Sequence, residues 1–270
     1  MPNNEITFEA RGVSRAYGHG KKQKLAVSDV SFKIRDKEIV SIVGQSGCGK
    51  TVLAKMLLRL EEPTSGTLLY DGKPIASAVD PRQHWRQVQA VFQDPFSAFN
   101  QFFTIRAQLK SSFNLFEQKP SDQEMEERVD QALLNVNIKP REIDGKYPFE
   151  LSGGQMQRML LARIFILKPR VLVADEPTSM VDACSRASIL DYLMKLKHEL
   201  DMTIVFITHD IGLAYYVSDS IFIMHEGKIV EQGPPDDVTQ RPQSPATKQL
   251  LDDIPDVHKN WIDRHPVAGP

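Results

Sequence analysis

The feature that most restricts this chain is the octapeptide Gly44-Gln45-Ser46-Gly47-Cys48-Gly49-Lys50-Thr51. It lies between an apolar run, Glu38 to Val43, and a second apolar stretch, Val52 to Leu60, that stops near Pro63. The first run suits a buried strand and the second a helix, so the glycines fall at a strand-to-helix turn. Glycine lets the backbone curl until its N–H groups converge, and the start of the helix adds the positive end of a dipole. The G-x-x-x-x-G-K-T spacing therefore predicts a phosphate cradle built by Gly44, Gln45, Ser46, Gly47, Cys48, Gly49 and the following Val52. Lys50 is placed to meet β and γ phosphates, and Thr51 to ligate Mg²⁺. A glycine turn that merely starts a helix is the plainer alternative, but it leaves the Lys-Thr pair unexplained.

Around this unit strands and helices alternate, which predicts an α/β core. Ile6, Phe8, Val30, Phe32 and Ile34 mark the inward positions of strands on either side of the polar stretch HGKKQK. Further strands are expected at 66–71, 88–92, 171–174, 203–207 and 220–224, and HEGKIVEQG fits a terminal hairpin. Between Asp94 and Pro148 the pattern turns helical, and Met125, Val129, Ala132, Leu133 and Val136 recur at helical spacing over 123–136. Helices are also expected over 156–167, 185–199 and from Asp210. The segment after Pro234 is richer in Pro, Asp and polar residues, with ATKQLLDDI alone reading as helix.

Composition narrows the setting. A chain of 270 residues with 41% hydrophobic residues is large enough for a substantial core and is neither disordered nor a staple-dependent miniprotein. Its 33 basic and 35 acidic residues give a net charge of -2, so charge alone offers no argument for a nucleic-acid partner. Two cysteines, Cys48 and Cys184, cannot build a disulfide framework. No secretion signal opens the chain and no run of apolar residues is long enough to span a bilayer, so a cytoplasmic setting is expected, with any membrane role exerted through a partner.

A second chemical signal is Val171-Leu172-Val173-Ala174-Asp175-Glu176, an apolar strand that delivers two consecutive carboxylates to its C-terminal end. Ligands of open α/β sheets bind at such ends. Asp175 is placed to hold the Mg²⁺ shell and Glu176 to orient or deprotonate an attacking water. A solvated strand end is the plain alternative.

Between these two motifs stands Leu151-Ser152-Gly153-Gly154-Gln155, and with it the chain resembles the ATP-binding-cassette ATPases over at least residues 5–232. The resemblance implies a P-loop NTPase of the ABC ATPase type, with an antiparallel β subdomain and a helical subdomain inserted over about 94–160. Residues 1–232 would form the ATPase domain and 233–270 a short C-terminal extension. It further implies head-to-tail pairing of two ATPases, with Ser152 and Gly154 of one contacting the γ-phosphate held by the other. Tyr17 matches the position that stacks on adenine, Gln93 the glutamine that senses Mg²⁺ and γ-phosphate, and His209 the switch histidine. Each has a plain alternative, as a strand-edge tyrosine, a polar strand cap and a helix-start residue. Asp182 matches the interface loop, where Met180 and Val181 depart from the common Ser-Ala-Leu-Asp form.

Three stretches resemble one branch, the importer ATPases for oligopeptides, dipeptides or nickel. They are Phe92 to Asn100, Tyr147-Pro148-Phe149-Glu150, and Ser244 to Leu251 followed by Ile254-Pro255. Ser244 and Ala246 replace the usual His and Tyr of the last stretch, and no clustered cysteines follow, so no iron–sulfur cluster is expected. The branch implies two transmembrane permease subunits, a second ABC ATPase forming a heterodimer, and an extracytoplasmic solute-binding protein, at the cytoplasmic face of the membrane and without nucleic acid. Oligosaccharide or nickel uptake, an exporter, a soluble ATPase acting on ribosomes or DNA, and a nucleotide-binding module without turnover are the alternatives.

Overall fold

A computed structural model of the protein describes residues 5–18, 20, 23–76, 80–179 and 183–253, with the backbone alone at 183–185. Asp182, Met180, Val181 and Ile254-Pro255, to which the sequence assigns interface and branch roles, lie outside these residues. The chain divides into two units, Met1–Ala76 with Val205–Pro270, and Ser77–Ile204.

The first unit opens with two long strands, β1 (Ile6–Tyr17) and β2 (Lys24–Arg35), where the alternating apolar residues place them, paired antiparallel. Phe8, Val13, Val30 and Ile34 are buried, and the Phe8 ring lies 5.2 Å from that of Tyr70. After β3 (Ile39–Val43) and α1 (Lys50–Leu57) come β4 (Ser65–Tyr70) and the two-residue β5 (Lys73–Pro74). They complete an antiparallel sheet of order β2-β1-β4-β5.

The second unit begins with α2 (Pro81–Gln87), for which the sequence reading has no counterpart. Asp80 caps it by accepting from the Gln83 N–H, and Pro81 occupies its first turn. Strand β6 (Val88–Val91) leads to α3 (Ile105–Ser111) and α4 (Asp122–Asn135). The latter carries the expected apolar stripe, with Met125, Val129, Ala132 and Leu133 buried, and a Ser121–Glu124 capping box. Helix α5 (Gly153–Leu167) begins three residues before the expected Met156, and β7 (Val171–Asp175) follows it. β7 pairs in parallel with β6, Val91 facing Ala174. Helix α6 (Ala183–Leu200) leads to β8 (Thr203–Thr208), within which the chain returns to the first unit.

There α7 (Ile211–Val217), β9 (Ser220–His225), β10 (Lys228–Gly233), α8 (Pro235–Gln240) and α9 (Pro245–Asp252) complete the chain. β9 runs parallel to β3 and antiparallel to β10, the latter pair being the expected hairpin. Val43, Ile211, Ala214, Ile221, Ile223 and Val238 form a buried cluster on which Leu250 and Leu251 of α9 rest. No helix among the described residues is long and apolar enough to cross a membrane.

Candidate functional site

The phosphate loop leaves the buried β3 and enters α1 at Lys50, two residues before the expected Val52, because Gly49 turns the chain with φ 110°. A Cβ at Gly49 would stand 2.3 Å from the Ala26 carbonyl oxygen, and one at Gly44 2.1 Å from that of Met224. Two neighbouring strands thus press on the loop from outside, and glycine alone fits these positions. Gly47 differs, since it holds φ 81° but nothing among the described residues stands within 4 Å of where its Cβ would be. The Cys48 carbonyl accepts from the Gly227 N–H at 2.9 Å, tying the loop to the turn between β9 and β10.

Lys50 folds back over the loop. Its ammonium donates to the carbonyl oxygens of Gly44 (2.7 Å) and Gln45 (3.0 Å) and lies 3.9 Å from the Cys48 sulfur. A phosphate oxygen is a stronger acceptor for an ammonium than a neutral carbonyl, so the same donors are suited to an anion. Burial pushes the Cys48 thiol above its ordinary pKa, partly offset by Lys50, which leaves a thiol rather than a nucleophilic thiolate. Ser46 and Thr51 are exposed and Val52 is half-buried. Open space beside Gly47, a lysine at the loop mouth and an exposed hydroxyl fit a nucleotide phosphate with Mg²⁺, a cation that takes hard oxygen ligands.

Elsewhere in this unit Tyr17 closes β1 with its ring 40% exposed and its hydroxyl donating to Glu61. The Arg15 guanidinium lies 4.9 Å from the centre of that ring and pairs with Glu61 at 3.1 Å. One aromatic face is therefore engaged by a cation. His209 is exposed at the end of β8, and the next residue, Asp210, caps α7 by accepting from the Leu213 N–H at 3.1 Å.

In the second unit the β6–β7 register brings two polar residues to one end of the strand pair. Val91 faces Ala174, so Gln93 and Glu176 each stand two residues beyond this pair, at the same end of adjacent parallel strands. Asp175 is buried at the last position of β7. Glu176 holds φ 47°, outside the conformations an ordinary side chain adopts at no cost. Its carbonyl accepts from the N–H and hydroxyl of Ser179 at 3.2 and 3.0 Å, and the next carbonyl, of Pro177, accepts from the buried Gln157 side chain at 2.9 Å.

Ser152 caps α5. Its hydroxyl accepts from the Gln155 N–H at 3.2 Å while the Gln155 side-chain oxygen accepts from the Ser152 N–H at 3.0 Å. The S-x-x-Q spacing of a capping box lies within the LSGGQ motif, a signal the reading of α5 from Met156 overlooks. Because the hydroxyl is used as an acceptor, its own proton remains available for a phosphate oxygen. Gly153 and Gly154 form the first turn, where backbone N–H groups have no helical acceptor. No motif in the sequence singles out Gln157 or Arg163; a glutamine on the apolar side of a helix is the signal that points to the former.

This architecture is that of a P-loop ATPase with an antiparallel sheet and an inserted helical region. A family model described as ABC transporter matches residues 27–179. The chain is 39% identical over 248 residues to the di/tripeptide transport ATP-binding protein DppF of Pseudomonas aeruginosa, covering 91% of this chain and 76% of the relative. It is 33% identical over 258 residues to the oligopeptide transport ATP-binding protein OppF of Streptococcus pyogenes, covering 93% and 83%. Among solved structures, the dimeric ATP-binding cassette MJ0796 with ADP and phosphate superposes with a TM-score of 0.77 at 26% identity, covering 84% of this chain and 98% of that one. The chain belongs to the ABC transporter family. It carries that family's ATP-binding and ATPase apparatus.

Proposed function

We propose that this chain is the ATP-hydrolysing subunit of an importer of oligopeptides or dipeptides, acting at the cytoplasmic face of the membrane. The observation that carries this reading is the presence, on one chain, of an anion cradle, a strand-end carboxylate pair and a capped signature helix, in a sequence that matches peptide-transport ATPases over most of its length. Residues 1–232 serve as the ATPase domain, with about 94–160 as the helical subdomain and 233–270 as an extension.

In this reading the loop N–H groups and Lys50 bind the β and γ phosphates, and Tyr17 takes the adenine on the ring face away from Arg15. Thr51, Asp175 and Gln93 are the residues that would hold Mg²⁺, which would neutralise charge on the phosphates. Glu176 accepts a proton from the attacking water. His209 and Gln93 contact the γ-phosphate. Ser152 donates its hydroxyl proton, and Gly154 its N–H, to the γ-phosphate held by a second ATPase subunit. Closure of that pair is favoured by ATP and reversed by hydrolysis, because the nucleotide binds the closed state better.

The partners are two permease subunits, a sister ATPase and, indirectly, a solute-binding protein outside the cell. Phe102, Phe103 and Phe149 are 88%, 57% and 68% exposed in the second unit, and the Tyr147 and Phe149 rings stack 5.7 Å apart. Such aromatic exposure supports a permease segment docking on the helical subdomain. Mild-detergent purification of the tagged chain from membranes is expected to retain two permeases and a second ATPase; recovery with soluble or ribosomal proteins only would overturn the importer reading. Glu176→Gln is expected to keep ATP binding and lower turnover at least about 100-fold. Hydrolysis at the wild-type rate would sink the role given to Glu176.

A further inference from the structure

Helix α5 starts at the signature serine and carries two polar side chains that reach the loops bearing the proposed hydrolytic groups. Gln157, 1% exposed, donates through its side-chain nitrogen to the Pro177 carbonyl at 2.9 Å, one residue beyond Glu176. Arg163, partly buried, donates to the Ala98 carbonyl at 3.3 Å and lies 4.5 Å from the centre of the Phe99 ring. Ala98 and Phe99 close the short turn Phe96–Ala98 that follows Gln93. Gln157 and Arg163 stand about 9 Å apart along the helix and roughly 120° apart around it, so the helix engages the two loops on different sides.

Neither contact is what a helix of this kind needs to pack. Met156, Met159, Leu160, Ile164 and Phe165 already bury its apolar side. A buried amide and a guanidinium whose contacts among the described residues are a carbonyl and an aromatic ring are costly choices where leucine or methionine would serve. Burial holds the Arg163 guanidinium below its ordinary pKa. The Pro177 carbonyl lies next to a backbone in a sparsely populated conformation, which persists only where its surroundings over-determine it. Ser179 pins the carbonyl on one side of the Glu176–Pro177 link, and Gln157 pins the other.

We propose that α5 acts as a tie rod, in which Gln157 positions Glu176 and Arg163 positions Gln93, so that the signature serine and both hydrolytic loops share one frame. This rests on the reading of Glu176 and Gln93 given above. Both are positioning residues. Displacement of the Ser152 end by a phosphate would be felt at both loops through a rigid helix, which supplies a physical route from signature engagement to hydrolysis.

The test is a double-mutant cycle on the full chain, with the subunits that co-purify with it. Gln157→Met keeps the length of the side chain and removes its donor. It is expected to lower kcat about tenfold with the KM for ATP and nucleotide affinity within twofold of wild type. In a Glu176→Gln background it is expected to leave the residual single-turnover rate unchanged, because an effect exerted through Glu176 cannot be lost twice. A wild-type kcat in Gln157→Met, or the same fold loss in both backgrounds, overturns the proposal. Should Gln157→Met not fold, Arg163→Met in wild-type and Gln93→Ala backgrounds decides by the same criterion. Glu176→Gln hydrolysing at the wild-type rate removes the underlying reading, whereas an impaired Glu176→Gln beside an unimpaired Gln157→Met overturns the tie rod alone.

Discussion

The two units hold their functional groups by opposite means. In the first, the phosphate loop is shaped by side chains that are missing, with Gly44 and Gly49 pressed against the carbonyls of Met224 and Ala26. In the second, the loops after β6 and β7 are held by side chains that are present, Gln157, Ser179 and Arg163. A cradle made of backbone offers its N–H groups at a fixed place and tolerates almost no substitution at its contact points. Loops held by hydrogen bonds can be shifted a few tenths of an ångström by exchanging one partner, and a catalytic group is sensitive to such shifts.

The largest expected effect probes the backbone-built side. Gly49→Ala must place a Cβ against the Ala26 carbonyl at a φ of 110°. Backbone strain alone costs about 1–3 kcal/mol, and the displaced loop is expected to lose ATP affinity by at least about 100-fold. Urea denaturation and nucleotide titration measure the two effects, and an alanine variant with normal stability and affinity would break the contrast between the units. Ser152→Ala tests the side-chain-held side. Loss of the cap costs about 1 kcal/mol, a fall of roughly 2–4 °C in melting temperature for a chain of this size. If the same variant lowered turnover without lowering the melting temperature, the hydroxyl would be contributing to phosphate contact alone.

The smallest effect concerns a place where the first unit also relies on a side chain. Glu231 of β10 accepts from the Gln243 and Ser244 N–H groups at 2.8 and 3.0 Å and from the Thr247 hydroxyl at the start of α9. Burial pushes its carboxyl up, but these donors, with Lys248 near, bring it below the ordinary glutamate range. The folded pKa is depressed, so the stabilisation is present above the unfolded value and is lost as pH falls through the folded one. Amide exchange in α9, corrected for intrinsic rates, is expected to accelerate a few-fold on moving from neutral pH to below the glutamate range, and Glu231→Gln to abolish most of that dependence. Unchanged protection across the range would show that the Leu250 and Leu251 packing holds the helix by itself.

Much of the fold was legible in local pattern. Helix α4 falls within one residue of the stretch marked by its apolar spacing, and β7 ends on the expected carboxylate. Short helices were not: α2 and α8 are too brief for periodicity to show, although Asp80-Pro81 and Pro234-Pro235 carry the signals of a helix start. The early starts of α1 and α5 share one cause. In both, the residues counted as motif, Gly49 and Ser152, are also the helix caps, so the functional loop and the first helical turn are the same piece of backbone.

The sequence by itself determined the glycine loop, the carboxylate pair and the capped start of α5, because each depends on the conformational preferences of a few consecutive residues. Tertiary structure alone decided that Gln93 and Glu176, far apart in the chain, emerge side by side from paired strands, and that Gln157 and Arg163 reach the loops behind them. Strand register and helix packing are set by contacts between distant segments, and no local spacing encodes which buried amide will meet which carbonyl.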